Sequence, residues 1–422
     1  MILTKRKEKS EKKEQKDLLI NNLYLLSINH KTAPVVIREK FAISENSLNN
    51  AFQNLKSCGL NESYVILSTC NRTEIYFQSK DANSSLNKIY SFFKDYLSIE
   101  PKLVQEYSIL SNGLDVVSHI FKLASGLDSL VLGEKQILSQ VKYAYSVAQK
   151  ENTLDDVLEK LFQSAMKAAK DVHENTDISK SSQSISSVAI DMANEICGPI
   201  KTKSVMVLGA GLMAKLALEH IEKIGGAKEV MVLNRSPHRV IEFSENYKID
   251  KSFPFEKVYE VMNDTDVLVM AAGAPHFIVF AEQFKELRKD SNKPLYIFDI
   301  SMPRNVDSEF GRLPNVKLMD IDGLQETYNK MTHANIKDLK DAEKILSKGI
   351  GGFIESISNK EIDSLIKGLK EKTENIRLEK LLKFKKNKTS FTPEELDYIT
   401  KNIVNSIVHE EILNLKMLGK KK

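Results

Sequence analysis

The rhythm of apolar and polar positions changes three times along the chain. LLINNLYLLSIN, residues 18–29, predicts a buried strand, and YVILS (64–68) and TEIYF (73–77) predict two more. Between the first two, residues 45–57 bring Leu48, Phe52 and Leu55 to one face, as a helix does. This β–α–β order predicts a compact α/β module to about residue 105. From Asp115 to Cys197 the period is helical: Val116, Ile120, Leu123 and Leu127 share a face, as do Ile137, Val141, Tyr145 and Ala148. Short apolar strands then return at 204–208, 229–233, 266–271 and 295–299, separated by helical stretches. Strands alternating with helices predict a parallel, doubly wound sheet between about 200 and 310. Beyond Asp322 one long helix is predicted, carrying Leu324, Tyr328, Leu346, Phe353 and Ile357, with Gly349, Gly351 and Gly352 marking a bend or a close helix crossing. Residues 360–418 read as further helices, charged and aliphatic, whose stripes predict pairing with a second subunit.

Composition narrows this picture. At 42% hydrophobic and 28% charged residues, the chain is not of a disordered kind. Its 422 residues suggest about three domains. A net charge of +4 is too small for a nucleic-acid coat, so basic work must be local. Residues 1–17 hold seven Lys/Arg against four acids and read as a basic, solvated extension. Three cysteines, Cys58, Cys70 and Cys197, give no disulfide framework and no paired metal spacing, so no catalytic metal is expected. No apolar run reaches membrane-spanning length and the N-terminus lacks a secretory pattern, so the expectation is a cytoplasmic protein.

The motif Gly209-Ala210-Gly211-Leu212-Met213-Ala214 follows a strand and opens a helix. Its first glycine allows the tight turn, its second admits a pyrophosphate, and the small third position permits close packing. The next strand ends in Asn234-Arg235-Ser236, where an acid would hold the ribose of NADH. A neutral Asn234 with Arg235 and Arg239 nearby favours NADPH, although two solvated arginines would look the same.

Cys70, within Ser68-Thr69-Cys70-Asn71-Arg72, lies at a strand exit. A lone cysteine is commonly core filler. Its polar neighbours and an Arg72 close enough to favour thiolate make it a candidate nucleophile. His119, on a predicted helix, serves either as a structural histidine or as a general base. Ser129, Glu134, Gln136 and Gln140 follow within two dozen residues.

A nucleophilic cysteine and a nicotinamide site in one chain suggest thioester reduction. At this point the sequence resembles the glutamyl-tRNA reductase family, through INHKTAPVVIREK (28–40), LSTCNRTEIY (67–76), SHIFKLASGLDSLVLGEKQILSQVK (118–142), LGAGLMAKLA (208–217), NRS (234–236), DISMPRNV (299–306) and IVNSIVHEEILNLK (403–416). The resemblance implies NADPH-dependent reduction of glutamyl-tRNA to glutamate-1-semialdehyde, in tetrapyrrole biosynthesis, through a Cys70 thioester assisted by His119. It implies a glutamate pocket of Thr69, Asn71, Arg72, Ser129, Glu134, Lys135, Gln136 and Gln140. Gly209 to Ala214, with Asn234, Arg235 and Ser236, would hold NADPH. Lys135 stands where many relatives carry proline, and Ala214 replaces a third glycine. The implied division is a catalytic α/β module at 18–180, a Rossmann-type NADPH module at 181–320, and a long helix with a helical dimerisation module at 321–422. A homodimer is implied, with transient transfer of product to an aminotransferase. An NADP-dependent dehydrogenase of the shikimate type and an RNA-binding protein on the same cofactor fold remain alternatives.

Overall fold

The structure, a computed structural model, describes residues 19–129, 131–176, 178, 184–289, 291–331, 336–358, 392, 395–396 and 398–404. The expected basic extension at 1–17 and most of the expected helices at 360–418 lie outside the described residues.

Strand β1 spans Leu23–Asn29, and a helical turn precedes it where the sequence predicts more strand. Strands β2 (Tyr64–Ser68) and β3 (Arg72–Gln78) form a hairpin, and β4 (Ile109–Asn112) completes an antiparallel sheet ordered β2-β3-β1-β4. The helix Glu45–Ser57 covers the predicted residues and buries Leu48, Ala51, Phe52 and Leu55, one turn apart. Helices Leu114–Ala124, Gln136–Lys150 and Asp156–Asn175 follow, as the periodicity indicated. Asp155 starts the last of these by accepting the backbone N–H groups of Val157 and Leu158. The short helix Val35–Phe41 stands beside β1 and carries Arg38 and Glu39.

The second sheet is wholly parallel and ordered β10-β9-β8-β5-β6-β7. Its strands are β5 (Ser204–Leu208), β6 (Glu229–Leu233), β7 (Lys251–Phe253), β8 (Val267–Met270), β9 (Leu295–Asp299) and β10 (Val316–Asp320). Counted from β5 the order is 3-2-1-4-5-6, the doubly wound dinucleotide-binding arrangement. Alternate residues of β5 enter opposite cores: Val205 and Val207 one, Met206 and Leu208 the other. Helices therefore cover both faces, which explains why the central strands read as unbroken apolar runs.

The predicted long helix occurs as Ile321–Met331 and Ile336–Ser358, on either side of residues outside the description. Gly349 marks a close crossing: a Cβ there would meet the Phe121 ring at 2.9 Å and Ala168 Cβ at 3.0 Å. Residues 20–351 form one compact unit, and 352–422 belong to another.

Candidate active site

Cys70 and Asn71 occupy the tip of the β2–β3 hairpin. Ser68 pairs with Thr73 in register, and the Thr69 N–H donates to the Arg72 carbonyl at 2.8 Å, closing the turn. Thr69 Oγ1 accepts the Asn71 N–H at 3.2 Å, and Asn71 Nδ2 donates to Cys70 Sγ at 3.2 Å. The His30 N–H fastens the tip to β1 through the Asn71 carbonyl.

Beneath the tip lies a charge network of which sequence reasoning assigned only part. Glu74, fully buried in β3, accepts Ser27 Oγ (3.0 Å), Arg72 Nη1 (2.9 Å) and His119 Nε2 (2.9 Å) on one oxygen, and the Tyr76 hydroxyl (2.6 Å) on the other. Burial opposes its ionisation, but the charges of His119 and Arg72 with their hydrogen bonds win, holding the carboxyl far below the usual range. The Asp128 carboxylate accepts from the same Arg72 Nη1 at 3.2 Å while its carbonyl accepts Nη2; the carboxylate also lies 3.7 Å from His119 Nδ1 and pairs with Lys31. Both sides of His119 thus face carboxylates. An ionised carboxylate only accepts, so Nε2 carries hydrogen toward Glu74.

One expectation is reversed. The Arg72 charge is engaged by Glu74 and Asp128, and the Cys70 thiol is pushed up to about 12. Burial is the main cause and the Glu134 carboxylate the next; Arg38 and Arg72 offset them only in part. Burial also raises Glu134 to about 7. His30 is lowered to about 4, by burial and then by Arg72 and Lys31. Its Nδ1 is buried with no partner among the described residues, as are Asn71 Oδ1 and Gln136 Oε1.

Glu134 and Ser129 ride on the loop joining helices 114–124 and 136–150. Two glycines with positive φ shape it: a Cβ on Gly126 would strike the Glu134 backbone at 2.9 Å, and one on Gly133 the Ile178 carbonyl at 2.5 Å. Ser129 is half-buried beside Asp128, and Lys135 is exposed. Gln140 lines a small crevice with Ser68, just behind the hairpin tip. The structure therefore gathers Thr69, Cys70, Asn71, Arg72 and His119 around one network, brings the Glu134 charge within reach of the thiol, and leaves Lys135 facing solvent.

At the carboxyl ends of β5, β6 and β8, where the strand order reverses, lies a cleft of about 490 Å³ whose lining includes Leu208, Asn234, Arg235, Gly273, His276 and Phe277. Gly209 (φ +132°) abuts the β8 exit so closely that a Cβ would lie 2.4 Å from the Ala271 carbonyl oxygen. A Cβ on Gly211 would meet nothing within 4 Å, so the turn is open where a pyrophosphate would enter, and Leu212 begins the helix behind it. Ala214 is fully buried against that packing, and Met213 Sδ accepts Ser186 Oγ at 3.5 Å. Arg235 is exposed at the rim, while Asn234 Nδ2 donates to the Ser236 carbonyl. These residues fit a dinucleotide. Sequence reasoning missed the wall supplied by residues 272–280. Nearby, Asp299 is raised to about 6 by burial, although backbone N–H groups of Ser301, Asn305 and Val306 hydrogen-bond it and hold the 299–306 loop.

A doubly wound nucleotide module joined to a thiol-bearing α/β module defines a modular oxidoreductase with a nicotinamide-type cofactor site. Residues 26–176 match the family model for the N-terminal domain of glutamyl-tRNA(Glu) reductase, 191–327 that for shikimate/quinate 5-dehydrogenase, and 341–422 that for the glutamyl-tRNA(Glu) reductase dimerisation domain. The chain is 35% identical to a glutamyl-tRNA reductase of Carboxydothermus hydrogenoformans, over 93% of this chain and 88% of that one. It is 34% identical to glutamyl-tRNA reductase 2 of Koribacter versatilis, over 94% and 91%. The solved glutamyl-tRNA reductase of Methanopyrus kandleri aligns over 92% of this chain and 94% of its own, at 27% identity and a TM-score of 0.45. The chain belongs to the glutamyl-tRNA reductase family. The shikimate-type likeness is confined to the cofactor module. No described helix is long and apolar enough to cross a membrane.

Proposed function

We propose that this protein reduces the glutamyl group of glutamyl-tRNA to glutamate-1-semialdehyde, using NADPH and a Cys70 thioester. This would be the first step of five-carbon tetrapyrrole biosynthesis. The observation that carries the reading is the half-buried Cys70 thiol at a hairpin tip, directly above the Arg72–Glu74–His119–Asp128 network.

Cys70 sulfur attacks the ester carbonyl, a C–S bond forms, and the ester C–O bond breaks. The thiol proton passes through the His119 group to the departing tRNA hydroxyl. NADPH, when bound, supplies a hydride for the thioester carbon. The C–S bond then breaks, the aldehyde leaves, and Cys70 takes back a proton. Asn71, Gln136 and Glu134 offer acceptors suited to the substrate ammonium. Pairing of that ammonium with Glu134 would cancel the charge that pushes the thiol up, so substrate arrival itself favours the thiolate. In this reading Thr69, Arg72, Ser129, Lys135 and Gln140 would complete the glutamate site. Arg235, with Asn234 and Ser236, would meet the cofactor 2′-phosphate, and Gly209 to Ala214 its pyrophosphate. We expect a cytoplasmic homodimer that passes its reactive product to an aminotransferase.

The test is NADPH oxidation with glutamyl-tRNA, with free glutamate, and with Cys70→Ser. Turnover is expected only for wild type on glutamyl-tRNA. Oxidation with free glutamate, or an active serine variant, would overturn the proposal.

A further inference from the structure

The helix Val35–Phe41 carries two consecutive charges of opposite sign, and each finds its opposite far along the chain. Arg38, almost wholly buried, donates Nη2 to Asp322 Oδ1 at 2.8 Å and Nη1 to Oδ2 at 3.3 Å. Asp322 also accepts the Val35 N–H at 2.8 Å, at the start of that helix. Glu39 receives Arg304 in a fork, Nε at 3.0 Å and Nη2 at 2.9 Å, and the Arg304 N–H at 3.3 Å. The Arg304 guanidinium lies 5.9 Å from the centre of the Phe277 ring, and Phe277 lines the cofactor cleft. A chain of contacts thus runs from the cleft wall through Arg304 and Glu39 to Arg38, whose charge is felt at the Cys70 thiol.

Exposed ion pairs fix little, but these are largely withdrawn from water. Side-chain exposures are 13% and 18% for Arg304 and Glu39, and 3% and 31% for Arg38 and Asp322. Their opposed polarity also sets register. A slip of one residue one way would bring Glu39 toward Asp322 and Lys40 toward Arg304, and the other way Arg38 toward Arg304, in each case like charge against like.

We propose that the Arg38–Asp322 and Glu39–Arg304 pairs act as a two-charge clasp of positioning residues. The clasp holds the cofactor cleft in register with Cys70, so that hydride transfer depends on it while acylation of Cys70 does not. The proposal rests on the thioester reading above and concerns only its second half.

The experiment compares wild type, Glu39→Arg, Arg304→Glu and the doubly reversed Glu39→Arg/Arg304→Glu protein in two assays. One follows labelled glutamyl transfer to Cys70 from glutamyl-tRNA without NADPH; the other follows aldehyde formation with NADPH. Glu39→Arg should acylate at the wild-type rate but form aldehyde roughly 10- to 100-fold more slowly, the loss expected for a misplacement of about 1 Å. The double variant should recover most of that loss. Glu39→Gln, which keeps the side-chain shape, should lose less. Single variants that reduce as fast as wild type or faster, a double variant no better than the slower single, or equal loss of acylation would each overturn the clasp. Failure of the wild-type protein itself to acylate Cys70 would instead overturn the thioester reading, and the aldehyde assay on the double variant would still decide the clasp.

Discussion

Replacing Glu74 with glutamine removes one charge from the centre of the buried network and leaves its shape. Glu74 Oε1 receives Ser27, Arg72 and His119, all donors, so the variant must keep its carbonyl oxygen there. The new amide nitrogen then faces Tyr76, whose hydroxyl can reverse and accept. Hydrogen bonds survive, and the loss is the charge opposite Arg72, whose side chain is 2% exposed. Removing one partner of a buried pair costs about 3–5 kcal/mol. Asp128 remains 3.2 Å from the same guanidinium, which places the expected loss near the lower end, at roughly 3 kcal/mol. Urea unfolding of both proteins, followed by tyrosine near-ultraviolet dichroism, measures it; the chain has no tryptophan to interfere. The wild-type carboxyl is held well below 4.5 when folded. Its contribution is therefore present above about pH 4.5 and lost as the pH falls toward the folded value, so the difference should persist at pH 5 and shrink in stronger acid. A difference below about 1 kcal/mol at pH 7, within the range of ordinary substitutions, would refute the view that Glu74 holds the network together.

Two further outcomes follow from the same geometry. Glu134→Gln removes the second cause of the raised Cys70 thiol, so alkylation by iodoacetamide at pH 7.5 should rise by up to about tenfold, one pKa unit; an unchanged or slower rate would separate the two residues. Because Glu134 itself is raised to about 7 from 4.5, its contribution to wild-type stability is complete below about pH 4.5 and is lost as pH rises through 7; the glutamine variant should show a flatter stability profile across that window. Gly209→Ala would force a side chain onto the Ala271 carbonyl at φ +132°, and should weaken NADPH binding by at least roughly tenfold in a fluorescence titration, for a strain of about 1–3 kcal/mol; an unaltered dissociation constant would show that this contact yields freely.

The nucleotide module was readable because a sheet covered on both faces writes each strand as an apolar block, as EVMVL (229–233) does. Strands β7, only three residues long and mostly exposed, and β10, with Lys317 as its second residue and Asp320 as its last, lack that signature and escaped notice. In the N-terminal α/β module the cysteine was visible by its position at a strand exit. The groups that set its chemistry were not. Glu74 reads as the polar member of an alternating strand, and its clue was a carboxylate inside a strand buried along nearly its whole length. Asp128 reads as an ordinary loop acid. Arg72 looked free to stabilise a thiolate because nothing local reveals that Glu74 and Asp128 claim it first. The Arg38–Asp322 and Glu39–Arg304 pairs join residues 284 and 265 positions apart, and one sequence carries no signal of such a meeting.

The Asp322 contact with the Val35 N–H also has a consequence during synthesis. The helix that opens at Val35 receives this cap from a residue made 287 positions later. At about 5–20 residues per second, the ribosome takes roughly 15 to 60 seconds to supply it. Throughout that interval the nascent N-terminal α/β module must carry Arg38 without its carboxylate, so the helix at Val35–Phe41 gains its partner only after the nucleotide module has emerged.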